Sequence, residues 1–522
     1  MEDLLNDYGL SLAIFLPLLG AAVMLLIPRR EEQLHKLVAL VTSGAVLVVG
    51  ILLLANFDYD RSSELQFLVD KQWIPVINSR YIVGLDGISL PLLALTVLIV
   101  PLCVIYSWNH IPEPGNPKAF LILMLVLETG MVGSFLAQDL ILFFVFFEVV
   151  LLPMYFMIGV WGGEERQYAS IKFFLYTLFG SALMIVSFLA LYFLSDEVLL
   201  AGMTEPMHTF DMRLLPEAAG AISLTAQLWI FAGMFIGFGI KVPMFPFHTW
   251  LPDAHTQAPT VGSVILAAVL LKLGTYGFVR IALPILPEAA ERWAWVIGLL
   301  AVIGIIYGAL CCLAQTDMKR LIAFSSVAHM GFVMLGIATL TDFGINAAIF
   351  GMVAHGLITG MLFFLAGSTK ERYHTLEIRR LGGLLKQAPR MGWILGFCVM
   401  ASLGLPGLAG FWGEFPAILS AYQPGGSDPN VALFRVYMVV AAIGTVFAAG
   451  YLLWLYQRVA FGVPKEEFAD DPHIHDVTPL EWVSWVPLLV LIVVLGVYPN
   501  LIFGVTDDAV VTTMAAFAGI GS

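Results

Sequence analysis

The sequence predicts an all-α polytopic membrane protein with about 14 transmembrane helices. Of its 522 residues, 60% are hydrophobic and only 12% are charged, whereas about a quarter of the residues in a soluble domain are charged. Apolar stretches of roughly 20 residues, the length that crosses a bilayer core, recur along the whole chain. A transmembrane β-barrel would instead show short alternating segments.

Fourteen hydrophobic segments account for most of the chain. They lie at residues 9–28, 35–56, 86–108, 118–137, 139–161, 169–195, 222–247, 258–283, 293–314, 319–339, 344–367, 392–422, 431–460 and 480–503. We expect four regions: residues 1–117 with helices 1–3, 118–284 with helices 4–8, 285–462 with helices 9–13, and 463–522 with a C-terminal loop and helix 14.

The loop charges predict the orientation. Of the 25 lysines and arginines, 16 fall in one set of loops, seven fall in the other set, and Lys241 and Lys272 lie inside segments. Cytoplasmic loops carry the excess of such residues, so we expect both termini on the outer side. The acidic start MEDLLNDYG predicts a retained first helix rather than a cleaved signal peptide.

The sequence contains no motif that indicates a nucleotide, redox-cofactor or metal site. The four cysteines are dispersed in apolar runs and form no CxxC pair. The chain has no GxGxxG turn, P-loop or CxxCH motif. HIHD at residues 473–476 lies in an acidic loop, so a solvated turn is expected there rather than a metal site. These patterns predict no nucleotide, redox, metal or nucleic-acid site in this chain.

Two segments are interrupted in a similar way. The seventh contains GFGIKVPMFPFH with Lys241, and the twelfth contains ASLGLPGLAGFWGEF with Glu414. Irregular backbone at membrane depth is tolerated only where protein or a water-filled cavity surrounds it. Matched breaks in two halves of a chain are typical of transporters. We therefore expect helices 4–8 and 9–13 to form two inverted repeats of five helices, with the ion path at broken helices 7 and 12.

Four charged residues stand in apolar surroundings: Glu148, Lys241, Lys272 and Glu414. A charge at mid-helix costs roughly 2.5–3.5 kcal/mol on insertion scales and usually has a partner or a function. We expect Lys241 to be the counter-ion of Glu148. A buried lysine shifts its pKa readily, so Lys272 is a candidate proton carrier. The alternatives are a static ion pair or a snorkelling side chain, and snorkelling fits Glu148 and Lys272 poorly.

Histidines add candidate proton carriers. His329 and His355 lie inside segments, while His248 and His255 flank the mouth of the seventh segment. Histidine can exchange protons near neutral pH, although a single helical histidine is more often a packed, hydrogen-bonded residue. None has the spacing of a zinc site. For Glu128 a structural role and a role in the proton path remain equally open.

Three long motifs resemble a known family. FFEVVLLPMYFMIGVWGG, KVPMFPFHTWLPDAHTQAPTVGSVILAAVLLKLGTYGFVR and DMKRLIAFSSVAHMG are similar to the antiporter-like membrane subunits of respiratory complex I and to Mrp-type cation/proton antiporter subunits. The resemblance covers nearly all fourteen segments. It implies a proton-translocating subunit of an NADH:quinone oxidoreductase in a bacterial inner membrane, with periplasmic termini. The alternatives are an Mrp-type Na⁺/H⁺ antiporter subunit and a purely structural membrane anchor.

The resemblance also implies roles. Glu148 would pair with Lys241, Lys272 would be the central lysine, and Glu414 would be the terminal acid. His329 and His355 would belong to a polar axis along the membrane, and His248 would lie near the cytoplasmic input path.

It implies partners as well: neighbouring antiporter-like subunits of the L and N types and small membrane subunits. FMN, iron–sulfur clusters, NADH and quinone would be bound by other subunits. Glu414, where L and N types carry lysine, indicates a third subunit type, as do the chain's length and the expected lack of a long lateral helix.

Overall fold

The computed structural model describes residues 2–198, 206–427, 429–469 and 471–518, and most of them are helical. In chain order, helices α1 to α22 span Glu2–Leu26, Glu32–Asn56, Ser89–Tyr106, Pro117–Leu136, Leu140–Val149, Leu151–Trp161, Arg166–Leu194, Leu215–Ala218, Leu224–Lys241, Trp250–Gln257, Thr260–Ile265, Leu271–Gly277, Leu283–Ile285, Pro287–Leu313, Met318–Ala338, Asp342–Tyr373, Leu384–Gln387, Pro389–Ser402, Ala409–Ser420, Val431–Ala460, Pro479–Val497 and Asn500–Ala518.

The predicted class of polytopic helical membrane protein is confirmed. In the described ranges, 13 helical spans are long and apolar enough to cross a membrane. The twelfth predicted segment is present as the shorter helices α18 and α19, so all fourteen segments are accounted for. The fourteenth segment was predicted too long, because α21 ends at Val497 and α22 begins after Pro499 as a separate helix.

The helical bundle carries one small β element that the sequence analysis did not predict. The connection between α2 and α3 contains an antiparallel hairpin of strands β1 (Gln66–Ile74) and β2 (Ser79–Leu85). Arg80 and Arg213 hold Asp70 at 2.7 and 2.8 Å, which fastens the hairpin to the segment before α8. The hairpin escaped prediction because most β1 side chains are at least partly exposed and show no alternating apolar pattern.

The seventh segment is broken, as predicted. Helix α9 ends at Lys241, and the chain resumes a helix only at Trp250. The break frees backbone groups that must find partners where water is scarce. The Trp250 indole donates to the Ile240 carbonyl at 2.9 Å, and the Met244 amide donates to the Gly239 carbonyl at 2.9 Å. These bonds stabilise an irregular segment directly beside Lys241.

The twelfth segment is broken between Ser402 and Ala409. Gly404 and Gly407 have φ angles of +71° and +93°, a conformation that residues with a Cβ rarely adopt. Glu414 follows in the next helix, α19, and its Oε2 lies 3.1 Å from where a Cβ on Gly404 would stand. The irregular backbone therefore leaves room for the Glu414 carboxylate.

The eighth segment crosses the core with two local changes of pitch. Residues 266–270 and 278–282 form π-helical turns on either side of α12, which carries Lys272. Such turns are uncommon inside helices and are frequent at functional sites. This segment and α16 are almost wholly buried, so the middle of the bundle is built around them.

Candidate functional site

Lys272 is fully buried, and its ammonium has two polar partners. Its Nζ lies 2.6 Å from His355 Nδ1 and also donates to the Ala267 carbonyl, which the π-helical turn presents. Gly356 permits this contact, because a Cβ there would stand 2.8 Å from the Ala268 carbonyl of the same turn. The two predicted carriers Lys272 and His355 are thus in direct contact, from segments 83 residues apart.

A small cavity connects His355 to the next histidine. The His355 and His329 rings are 6.1 Å apart between centroids, and both line a cavity of about 30 Å³. That volume exceeds the roughly 10–15 Å³ that a water molecule needs. His355 Nε2 is buried and has no hydrogen-bond partner among the described protein atoms. The cavity therefore offers space for a water beside an unpaired imidazole nitrogen.

His329 joins the cavity to Glu414. Its Nδ1 lies 2.5 Å from Glu414 Oε1, while its Nε2 lies 3.2 Å from the Ser402 hydroxyl and 3.3 Å from the Tyr451 hydroxyl. Glu414 lines the same cavity. Both ring nitrogens of His329 consequently have polar partners, which is the arrangement that fixes an imidazole for proton exchange.

Close helix packing makes these contacts possible. A Cβ on Gly413 would stand 2.5 Å from Gly351 Cα, so α19 approaches α16 at van der Waals distance of the backbones. On the other side of the site, a Cβ on Gly274 would stand 2.7 Å from the Phe238 carbonyl, which brings α12 against the end of α9. Glycines therefore place the broken helices against the central ones.

Glu148 and Lys241, the predicted counter-ions, both belong to the described part of the chain and form no salt bridge within 4.0 Å. The Lys241 ammonium instead lies 4.6 Å from the centroid of the Phe147 ring, a cation–π geometry. Glu148 is half-buried and lies one residue before the end of α5 at Val149. The next helix, α6, starts at Leu151. The Lys241 ammonium thus lies against an aromatic ring rather than in a salt bridge with Glu148.

His248 lies in the seventh-helix break and is buried. Its ring stacks on Phe245 and meets Tyr307 edge-on, with centroids 5.8 and 5.0 Å apart. His255 is buried more deeply and stacks on Phe363 at 4.5 Å. Neither of its ring nitrogens has a partner among the described residues. Both ring nitrogens of His255 are therefore free to bind a further polar group. His248 makes no hydrogen bond or ion pair with the polar residues Lys272, His355, His329 and Glu414.

Two buried ion pairs were missed. Arg280 is one of the seven cations that were counted with the second set of loops. It lies inside the eighth segment, near its end, and holds both oxygens of Asp86 at 2.6 Å. Arg372 holds Glu481 at 2.7 Å, and both side chains are buried. The partners are 194 and 109 residues apart, so no local pattern could pair them. The spacing of Tyr276 and Arg280, which are in hydrogen-bond contact on one helix face, was the available signal.

Two other buried charges have different surroundings. Lys319, in the first turn of α15, is buried and donates to the Ala258 carbonyl at 2.5 Å. Glu128 is fully buried, and neither carboxyl oxygen has a partner among the residues that the structure describes. An isolated ionised carboxylate is very costly there.

Comparisons with known proteins agree with this architecture. A family model described as NADH:quinone oxidoreductase/Mrp antiporter, TM, matches residues 137–441, and a model for the amino terminus of NADH-ubiquinone oxidoreductase chain 4 matches residues 12–134. NADH-quinone oxidoreductase subunit M of Rhodobacter capsulatus is 43% identical over 505 residues, covering 94% of each chain. The subunit M of Rickettsia prowazekii is 40% identical over 512 residues, covering 97% of this chain and 99% of the relative.

Solved structures give the same picture. A chain of respiratory complex I from Thermus thermophilus with bound NADH superposes with a TM-score of 0.84 at 28% identity, covering 98% of this chain and all of that one. A chain of the Mrp complex from Dietzia sp. DQ12-45-1b has a TM-score of 0.81 at 20% identity, covering 98% and 99%, which is a likeness of fold alone. The chain belongs to the NADH:quinone oxidoreductase/Mrp antiporter family of membrane subunits, and within it to the subunit M group of NADH-quinone oxidoreductases.

Proposed function

We propose that this chain is a proton-translocating membrane subunit of an NADH:quinone oxidoreductase. The observation that carries the proposal is a pair of polar contacts, Lys272–His355 and His329–Glu414, joined by the small cavity that both histidines line. These four side chains come from four different segments and meet in an otherwise apolar bundle centre. A structural anchor has no need of a buried lysine, two histidines and a cavity in contact with one another.

The geometry supports a stepwise transfer. A proton on Lys272 passes along the 2.6 Å contact to His355 Nδ1. Loss of the other ring proton from His355 Nε2 hands a proton to a water in the cavity, and the water protonates His329. His329 then gives its Nδ1 proton to the Glu414 carboxylate. Each step moves one proton, and both histidines are neutral again only after the last step. Each ring then carries its proton on the other nitrogen, so both must return to their starting tautomers before the next proton is transferred.

Glu148 and Lys241 would control this transfer from the other break. Lys241 lies over Phe147 rather than on Glu148, so its ammonium can move toward or away from the carboxylate. Either movement changes the electrostatic potential at neighbouring charges and therefore their proton affinities. Moving one proton against 150–200 mV requires about 3.5–4.6 kcal/mol. A tenfold change in proton affinity corresponds to about 1.4 kcal/mol, so a change of roughly 300- to 3,000-fold is sufficient.

The remaining assignments follow from family membership and from the loop charges. We place the chain in a bacterial inner membrane with both termini periplasmic, beside antiporter-like subunits of the L and N types and small membrane subunits. NADH, FMN, the iron–sulfur clusters and quinone belong to other subunits in this proposal. The positions of the four cysteines support it, because Cys103, the adjacent Cys311 and Cys312, and Cys398 match no cluster-binding spacing.

The test is NADH-driven proton pumping by membrane vesicles that carry Lys272→Met. We expect an assembled complex whose pumping and coupled turnover fall to a small fraction of wild type, since methionine fills the volume but carries no proton. Lys370→Met is the matched control, because Lys370 is exposed at the end of α16. Assembled Lys272→Met complex with wild-type pumping would refute the proposal.

The Mrp-type Na⁺/H⁺ antiporter is the second candidate function, supported by fold alone. It predicts co-purification with small membrane subunits only and pumping that responds to Na⁺ gradients. The first candidate predicts co-purification with flavin and iron–sulfur subunits.

A further inference from the structure

A large open cavity lies at one end of the bundle, away from the polar chain. It has a volume of about 740 Å³ and lies where α14 and α20 end. Its walls come from residues 313–316, residues 378–382 and the stretch from Trp454 to Lys465. We refer to it as the basic pocket.

Backbone hydrogen bonds hold the three wall segments together. The Ile378 amide donates to the Thr316 carbonyl at 2.8 Å, and the Gly383 amide donates to the Phe461 carbonyl at 2.9 Å. Gly383 allows the third segment to come close, since a Cβ there would stand 2.5 Å from the Pro464 nitrogen. The basic pocket is therefore a built feature of the fold rather than a gap between unconnected loops.

The pocket is strongly one-sided in charge. Arg379, Arg458 and Lys465 line it, together with the amides Gln315 and Gln457, and the lining contains no acidic residue. Within the described ranges, none of the three cations forms an ion pair within 4.0 Å, whereas the neighbouring Arg380 is paired with Glu467 at 2.8 Å. Three unneutralised cations around one cavity favour a polyvalent or phosphate-bearing anion.

The outer wall is apolar and faces outward. Leu313 of α14, Phe461 and Val463 are exposed along its rim, and Leu453 is exposed next to Trp454 in α20. Trp454 and the Arg458 guanidinium lie 5.8 Å apart, the pairing of an aromatic ring and a cation that is typical of the membrane interface. A ligand in the basic pocket would therefore have an anionic part among the cations and an apolar part along these two helices.

We propose that the basic pocket binds the phosphodiester headgroup of an anionic phospholipid, with its acyl chains lying along the exposed faces of α14 and α20. Basic pockets between transmembrane helices recognise such headgroups by charge. The competing explanation is that the cations only offset the negative C-terminal ends of the two helix dipoles and belong to the general excess of lysine and arginine in cytoplasmic loops. That explanation requires no bound lipid.

The test measures lipid retained by the purified complex after delipidation and return of defined phospholipids, using native mass spectrometry. Phosphatidylglycerol and phosphatidylcholine are compared on wild type and on the variant Arg379→Gln/Arg458→Gln/Lys465→Gln. Each cation near an anionic headgroup contributes roughly fivefold in affinity, so the triple variant should weaken phosphatidylglycerol binding on the order of 100-fold. Phosphatidylcholine binding should change little.

A matched control removes three exposed cations from the same end of the bundle but outside the pocket: Lys370→Gln/Lys386→Gln/Arg390→Gln. It should keep phosphatidylglycerol. Equal loss in both triple variants, or no loss in the first, would overturn the proposal. So would displacement of the lipid by inorganic phosphate at equal concentration, because the pocket would then be a free-phosphate site. If the triple variant does not assemble, Lys465→Gln alone should still show the fivefold loss. Pumping is not part of this readout, so its outcome is independent of the proposed proton path.

Discussion

His329 Nδ1 and Glu414 Oε1 lie 2.5 Å apart, although 85 residues separate them in the chain. The contact joins a continuous helix, α15, to the second half of a broken one, α19. It depends on the turn at Gly404 and Gly407, which leaves room for the carboxylate. The break in the twelfth segment is thus a means of placing an acid against a histidine.

Gly413→Ala should weaken that placement. Its Cβ would stand 2.5 Å from Gly351 Cα, so α19 must move away from α16. Overpacking of this kind typically costs about 1–3 kcal/mol. We expect a lower melting temperature of the purified complex and a clear loss of pumping.

Gly450→Ala is the control for that substitution. It lies on α20, and a Cβ there would meet nothing within 4 Å. It should leave the melting temperature and pumping at or slightly above wild type, because alanine is the better helix former. Equal pumping by the two alanine variants would show that close approach of α16 and α19 is unimportant.

Asp86→Ala should destabilise the chain strongly. It leaves the buried Arg280 guanidinium without its bidentate partner, and breaking a buried pair typically costs about 3–5 kcal/mol. The double variant Asp86→Leu/Arg280→Met should recover much of that loss, since no charge then remains buried. Thermal unfolding of the purified complex measures both. An Asp86→Ala complex as stable as wild type would mean that the pair has no structural importance.

Glu148→Gln and Lys241→Ala should be non-additive in pumping. In the proposed mechanism the Lys241 ammonium and the Glu148 carboxylate act through one electrostatic coupling, so each single change removes the same coupling. We expect each variant to lower NADH-driven pumping severely and the double variant to be little worse than either. A double-mutant cycle on the initial pumping rates measures the coupling free energy between Glu148 and Lys241. Independent, multiplicative losses would separate the two residues functionally.

The hairpin should loosen only in acid. Burial raises the pKa of Asp70, but the hydrogen bonds and charges of Arg213 and Arg80 outweigh burial and hold that pKa below its usual value. The stabilisation is therefore fully present above the unfolded pKa of about 3.9 and is lost as pH falls through the lower folded pKa. The melting temperatures of wild type and Asp70→Asn should differ by a constant amount from pH 7 to about 5 and converge below about pH 4. A gap that closes near neutral pH would contradict this assignment.

The sequence supported prediction of the membrane class, the fourteen segments and both breaks, because apolar length and Gly/Pro placement are local properties. It also identified Lys272, His355, His329 and Glu414 as the unusual residues. It could not predict that they touch, since the contacts depend on backbone approach at Gly351, Gly356 and Gly413 from distant segments.

Local reasoning failed where burial is decided by tertiary packing. Arg280 and Arg372 looked like loop or end charges, yet each is neutralised inside the bundle by an acid more than 100 residues away. The lack of a salt bridge between Lys241 and Glu148 was missed for a related reason. The sequence indicates opposite charges in apolar surroundings. That the Lys241 ammonium lies over the Phe147 ring is decided by tertiary packing, which the sequence pattern does not reveal.

The most direct measurement is the proton-to-electron ratio of assembled complex with Glu414→Gln, during NADH oxidation in sealed proteoliposomes. Glutamine preserves the size of the side chain and its ability to hydrogen-bond His329, but it cannot take up the proton. We expect a ratio clearly below wild type, with assembly and the melting temperature nearly unchanged. A wild-type ratio in this variant would contradict the assignment of Glu414 as the end of the proton path.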